Sequence, residues 1–298
     1  MTIKQPVTMW MIGVTSYCLS LYATAYTTDE AYQVVDNAMI ELNMIALPTV
    51  PVSTKNALNL KAPHHVLQKS REVYANLQQL KQLKGLDSSP VPYFPTSSIQ
   101  EADLEQVIDL IYMDIKVLQQ AHKVESPKQY APLPQGTTYT ELFVRLDELN
   151  QRIVPLLQEE QAIYLYPAVI SLISDLDAIR QARKIYDPVA IAAGSTNKQN
   201  YDVYYQLVKI HYHLHRFCVL NASLCSSGGI NAMAVEGNQI PEDIISDAIY
   251  NLMAEVGVIK INMGLNKPTK EFAALQGRDM NKVFDAALTA QNLAATIR

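Results

Sequence analysis

Four stretches of this chain carry one pattern at intervals that a fold without internal repetition has no reason to produce. Each is an amphipathic segment with an acidic residue late in an apolar run. They are Val34 to Ile45 around Glu41, Val107 to Leu118 around Asp114, Val169 to Ile179 around Asp175, and Ile249 to Ile259 around Glu255. The four acids lie 73, 61 and 80 residues apart. A second series interleaves with the first, opening at Lys61–Val66, Thr137–Leu142, Lys198–Val203 and Lys267–Phe272. Its markers Val66, Leu142, Val203 and Phe272 lie 76, 61 and 69 apart. Val66, Ser70, Val73, Leu77 and Leu80 fall on one helical face, and Val203, Leu207, Ile210, Leu214 and Phe217 repeat that register. Two independent series that share their shortest interval define a repeating helix pair.

The expected fold is therefore all-α, with about eight main helices in four repeated pairs, arranged as an α-solenoid-like array or a closed helical bundle. Approximate units span 27–84, 98–157, 167–222 and 240–297. With 49% hydrophobic residues, only 10 glycines and no composition break, residues 26–298 read as one helical-repeat domain. Thr27-x-x-Glu30, Ser98-x-x-Glu101 and Thr138-x-x-Glu141 have the form of capping boxes. Pro167 and Pro241 suit a first helical turn, while Pro155 should kink or terminate the second helix of its pair. Pro-, Ser- and Gly-rich connections separate the helices, and the long ones after the acid-bearing helices are expected along one edge of the array.

Residues 1–25 stand apart. Lys4 is their only charged residue, Val7 to Tyr22 is mostly apolar, and Ala23-Thr24-Ala25 is the small-x-small pattern of a signal-peptide cleavage site. The expectation is an exported, periplasmic or secreted protein beginning at Tyr26, with no stable transmembrane anchor after cleavage. Loss of Cys18 with the leader leaves Cys218 and Cys225, a candidate disulfide if the chain turns back before Ser226-Ser227-Gly228-Gly229.

The net charge of −5 lacks the basic excess that grips phosphate, so nucleic acid is not an expected partner. No catalytic constellation emerges and no cofactor is called for. Asp175 and Asp177 fall on different helical faces, and the Ser226 turn lacks both a P-loop lysine and nucleophile-elbow spacing. His211 and His215 are one helical turn apart and form the candidate metal pair, although they flank an apolar stripe and lack a local third ligand. His64 and His65, at a helix start, are expected to face solvent. The 17 tyrosines are unusually many, and Tyr201, Tyr204, Tyr205 and Tyr212 cluster on one predicted helix as a candidate ligand surface. The functional expectation is an exported non-enzymatic binding or scaffold protein for a protein or small-molecule ligand. The alternatives are a periplasmic metal-binding protein and an enzyme with a dispersed site acting on cell-envelope material.

Overall fold

The computed structural model describes residues 26–45, 60–90, 92, 95, 98–157, 162–230, 233, 240–265, 267, 269 and 279–297. The leader expectation falls on residues 1–25, outside these. Among the described residues the chain forms eight α-helices and no strand: α1 (Thr28–Ile45), α2 (Pro63–Leu83), α3 (Glu101–Ala121), α4 (Tyr139–Ile153), α5 (Ala162–Ala182), α6 (Asn200–Leu220), α7 (Glu242–Asn262) and α8 (Met280–Thr296). The odd helices are the acid-bearing series and the even helices the second series. Odd helices begin 73, 61 and 80 residues apart, and even helices 76, 61 and 80 apart. The last even interval departs from the 69 expected because α8 is capped by Asp279, whose side chain accepts from the Lys282 N–H. The expected opening at Lys267–Phe272 falls largely outside the described residues.

Local chemistry fixes most helix ends. Thr27/Glu30 and Thr138/Glu141 form the reciprocal capping bonds expected of them. Ser98 does not cap α3; the helix starts two residues later, where the Asp103 carboxylate accepts from the Gln100 N–H at 2.7 Å. Pro167 lies inside α5 rather than in its first turn. Pro155 sits in a 3-10 turn (Val154–Leu157) just after α4, as a residue without a backbone donor should. At the C-termini of α2, α3, α5 and α7, a left-handed residue (Gly85, Lys123, Lys184, Gly264) turns the chain. The next N–H then reaches back to Lys81, Gln119, Arg180 and Lys260 respectively.

The helices close into two four-helix bundles, each a ring and not an open stack. In the first, α1 packs on α3 and α4, and α2 packs on α3 and α4; in the second, α5 and α6 each pack on α7 and α8. Each ring has its own core, built on Val35, Val73, Ile111 and Leu146 in one and on Leu172, Leu207, Ile249 and Ala287 in the other. Burying a Val, Ile or Leu side chain of this kind contributes roughly 1.5–3 kcal/mol.

Within each bundle all four helices run in the same direction. Asp29 at the start of α1 accepts from the Thr137 N–H just before α4, Asp36 pairs with Arg145, and Asn43 near the end of α1 pairs with Arg152. Tyr139 donates to Glu101 at the starts of α4 and α3. In the second bundle Asn281 accepts from the Lys198 N–H at the starts of α8 and α6, while Arg180 donates to Thr296 at the ends of α5 and α8. Parallel helices need long returns. The odd-to-even connections 46–62, 122–138, 183–199 and 263–279 are each 17 residues long. Segment 122–138 runs back along α1, with Tyr130, Ala131 and Gly136 bonded in turn to Glu41, Asn37 and Asp29. Segment 183–199 does the same along α8, with Ala190, Ala192 and Ser195 bonded to Asn292, Thr289 and Asp285. These two connections therefore cover the bundle sides instead of emerging along one edge.

The two bundles meet where α7 crosses α2 in the opposite sense. His65 meets Glu255, Lys69 meets Asp247, and Glu72 meets Ser246.

Candidate functional site

The acids that mark the odd helices occupy one structural position. Glu41, Asp114, Asp175 and Glu255 each lie thirteen residues beyond the first residue of their helix, and all four are buried. A buried carboxylate needs a counter-charge and hydrogen bonds. Glu41 accepts from Lys116 and from the Tyr130 hydroxyl. Asp114 accepts from Lys81 and Ser89, and Asp175 from Lys260 and Thr269. The rule is one carboxylate, one lysine and one hydroxyl. Glu255 keeps the hydroxyl, Ser226 Oγ at 2.8 Å, but has two histidines where the others have a lysine.

Those histidines are buried, at 8% and 6% exposure, and not solvent-facing as expected. The sequence puts them beside Pro63 at a helix start, and nothing local announces that α7 of the other bundle covers that start. His65 Nε2 lies 2.9 Å from Glu255 Oε1, His64 Nε2 lies 3.6 Å from the same oxygen, and the two rings are 4.0 Å apart. The Ala62 N–H donates to His65 Nδ1 at 3.1 Å, so the neutral ring carries its proton on Nε2 and donates it to Glu255. Burial lowers the pKa of His65, which keeps it in that neutral form. Burial pushes Glu255 upward, but its bonds to His64 and His65 outweigh this and hold it at about 2. His64, His65 and Glu255 offer three ligand atoms within 4.8 Å of one another, a set that could hold a metal ion. A metal on His65 Nε2 moves the ring proton to Nδ1 and forfeits the Ala62 bond. The two N–H groups would then face each other, which costs about 1–3 kcal/mol for a buried donor left unsatisfied, against roughly 10 kcal/mol for a structural zinc complex.

One turn further along α2, Lys69 is 1% exposed and faces three carboxylates: Glu72 at 2.8 Å, Asp147 of α4 at 3.1 Å and Asp247 of α7 at 2.5 Å. Burial works against its charge, but the carboxylates prevail and raise its pKa well above the usual lysine range. Asp247 is pushed up to about 6, chiefly by burial, with Asp147 and Glu72 adding to the rise and Lys69 opposing it. Around this cluster, Asn76 donates to Asn150, while Asn150 and Ser246 donate to Glu72. Lys61 donates to Asn251 and lies 4.4 Å from the centre of the Phe143 ring. The signal that could have revealed this seam is the polar row Asp243, Asp247, Asn251 and Glu255, spaced by four along α7.

The two shifted acids set opposite pH limits. Asp247 is raised above its ordinary 3.8, so its contribution is fully present below that value and is lost as pH rises through about 6. Glu255 is lowered from 4.5, so its contribution is present above 4.5 and is lost as pH falls toward about 2. Denaturant unfolding across the pH range should therefore show stability from these two groups rising to a maximum near about pH 4 and falling from there toward about pH 6. Asp247→Asn should flatten the falling limb and Glu255→Gln the rising one; a limb that its variant leaves unchanged contradicts that acid's assignment.

The residues singled out in the sequence lie elsewhere, on and beside α6. Cys218 and Cys225 form a disulfide with Cα atoms 5.7 Å apart, through the 3-10 turn Ala222–Leu224. The bridge holds the segment that brings Ser226 to Glu255. His211 and His215 stack with ring centroids 6.4 Å apart. Tyr201, Tyr205 and Tyr212 are 47%, 59% and 56% exposed, whereas Tyr204 is buried in the core. Lys209 Nζ lies 4.7 Å from the centre of the Tyr205 ring, and Arg216 Cζ 5.9 Å from that of Tyr212. No described helix is long and apolar enough to cross a membrane.

Compared with protein-family models, curated proteins and solved structures, the chain shows no significant similarity to any of them. Its function is therefore read from its own geometry.

Proposed function

We propose that the chain is an exported, non-enzymatic binding protein that takes an acidic segment of a protein partner on the outer face of α6. The observation that carries this reading is the row of exposed tyrosine rings with cations laid over two of them. From Tyr201 through Tyr205, Tyr212 and Arg216 to Val219, the spacing keeps one helical face over ~27 Å. Tyrosine and arginine are the side chains that protein interfaces favour, because a rigid ring buries area at low entropic cost and keeps a polar tip. Charge selects the partner. The chain carries −5 overall, yet α6 has Lys209 and Arg216 against the single acid Asp202, which lies in its first turn. The parallel bundle behind α6 supplies a rigid support, and the disulfide at its end suits an oxidising compartment.

The test compares capture from periplasmic and culture-medium fractions by wild type, Tyr205→Ala/Tyr212→Ala and Lys209→Glu/Arg216→Glu. The expected result is an acidic partner that wild type holds at low salt and releases at high salt. Both variants should lose it at least about tenfold, the charge reversal more completely. Identical recovery by all three proteins, or recovery of nothing by wild type, rejects the α6 face.

A further inference from the structure

Three of the four position-equivalent acids are neutralised by a lysine, which is a fixed cation and no metal ligand at neutral pH. At the fourth, two imidazole nitrogens and a hydroxyl converge on Glu255 between the bundles. We propose that His64, His65 and Glu255 bind one divalent transition-metal ion, zinc being the best match, with Ser226 Oγ or a water as fourth ligand.

Geometry is the first warrant. Four ligands at zinc-bond lengths near 2.0 Å form a tetrahedron whose edges are about 3.3 Å. Three donor separations bracket that edge: 2.9 Å from His65 Nε2 to Glu255 Oε1, 3.6 Å from His64 Nε2 to the same oxygen and 3.4 Å from Ser226 Oγ to His64 Nε2, while Ser226 Oγ bonds the other carboxylate oxygen, Oε2, at 2.8 Å. These three edges are within about 0.4 Å of what tetrahedral coordination would require, and the three ligand atoms of His64, His65 and Glu255 all lie within 4.8 Å of one another. Donor chemistry is the second warrant, since two neutral imidazoles and one carboxylate form a known zinc set and suit calcium or magnesium poorly. Preorganisation is the third. The histidines come from the first turn of α2, the carboxylate from the middle of α7, and the hydroxyl from a segment closed by the Cys218–Cys225 bridge. An ion here joins three segments of the chain across the bundle junction, so its binding free energy adds to the stability of that junction.

The experiment uses the oxidised protein, stripped with chelator and titrated separately with zinc and cobalt(II). Wild type should take up one equivalent of zinc with an increase in Tm, and cobalt should give the intense visible absorption of tetrahedral coordination. His64→Gln and Glu255→Gln should each weaken uptake at least about 100-fold, the upper end of what losing an outer-shell partner alone costs. His211→Ala/His215→Ala should bind as wild type does. The cobalt spectrum needs no variant, so the proposal stays testable even if Glu255→Gln fails to fold. It is overturned if wild type takes up no stoichiometric zinc, if the cobalt complex is octahedral, or if uptake follows His211 and His215 instead. None of these outcomes bears on the α6 face, because the capture experiment needs no metal.

Discussion

Replacing Lys69 with alanine is expected to lower the unfolding free energy by about 3–5 kcal/mol, the range for breaking a buried ion pair from one side. Lys69 is fully enclosed, and its ammonium lies within 3.1 Å of carboxylate oxygens of Glu72, Asp147 and Asp247. Without it, three carboxylates from three helices face one another in a medium that screens them poorly. A second readout separates this cause from simple loss of packing. The variant should regain stability on acidification from neutral pH, as the stranded carboxylates take up protons. Lys69→Met, which fills the space without the charge, should lose nearly as much at neutral pH. If methionine restores stability there, the lysine stem and not its charge is what the junction needs.

The second large effect is expected at Asp175. Its carboxylate accepts from Lys260 of α7 and Thr269, and both charged side chains are 3% exposed. Asp175→Leu should cost about 3–5 kcal/mol, because Lys260 keeps its charge and loses its partner, and Lys260→Met should cost a similar amount by stranding Asp175. The double replacement Asp175→Leu/Lys260→Met should recover most of this loss, since two apolar groups of similar volume carry no desolvation penalty. Denaturant unfolding of the two single variants and the double variant forms a cycle that measures the coupling. Strict additivity would show that the pair is not energetically joined. The same cycle at Asp114 and Lys81 should behave alike, as that pair has the same helix positions and a similar hydroxyl.

The helices are legible in the sequence because their period and their recurring acids are local properties. Glu41, Asp114, Asp175 and Glu255 align on spacing and apolar context alone, and they occupy one position in the fold. The partners of those acids are not legible. Lys116, Lys81, Lys260 and the His64–His65 pair come from different helices, and only the ring order of each bundle and the junction between bundles bring them to the carboxylates. The burial of α2 is hidden for a related reason. His65, Lys69 and Glu72 lie off the apolar stripe of α2 and read from the sequence as its wet face. The second bundle covers them. Pro167 shows the limit of punctuation: a proline within a predicted helix region reads naturally as a first-turn residue, yet α5 begins five residues earlier.

The common direction of the helices in each bundle has an electrostatic consequence. Every helix carries roughly half a positive charge at its N-terminus and half a negative charge at its C-terminus. In an alternating bundle these cancel between neighbours. Here four add, so each bundle has a pole worth about two charges at either end. Acids in the first turns answer the positive pole in both bundles: Asp29, Glu30, Glu101, Asp103 and Glu141 in one, Asp202, Glu242 and Asp243 in the other. The opposed sense of α2 and α7 does the same at larger scale. It sets the field of one bundle against that of the other, so that the pair is closer to a quadrupole than to a dipole and gains Coulomb energy from lying side by side in opposite senses.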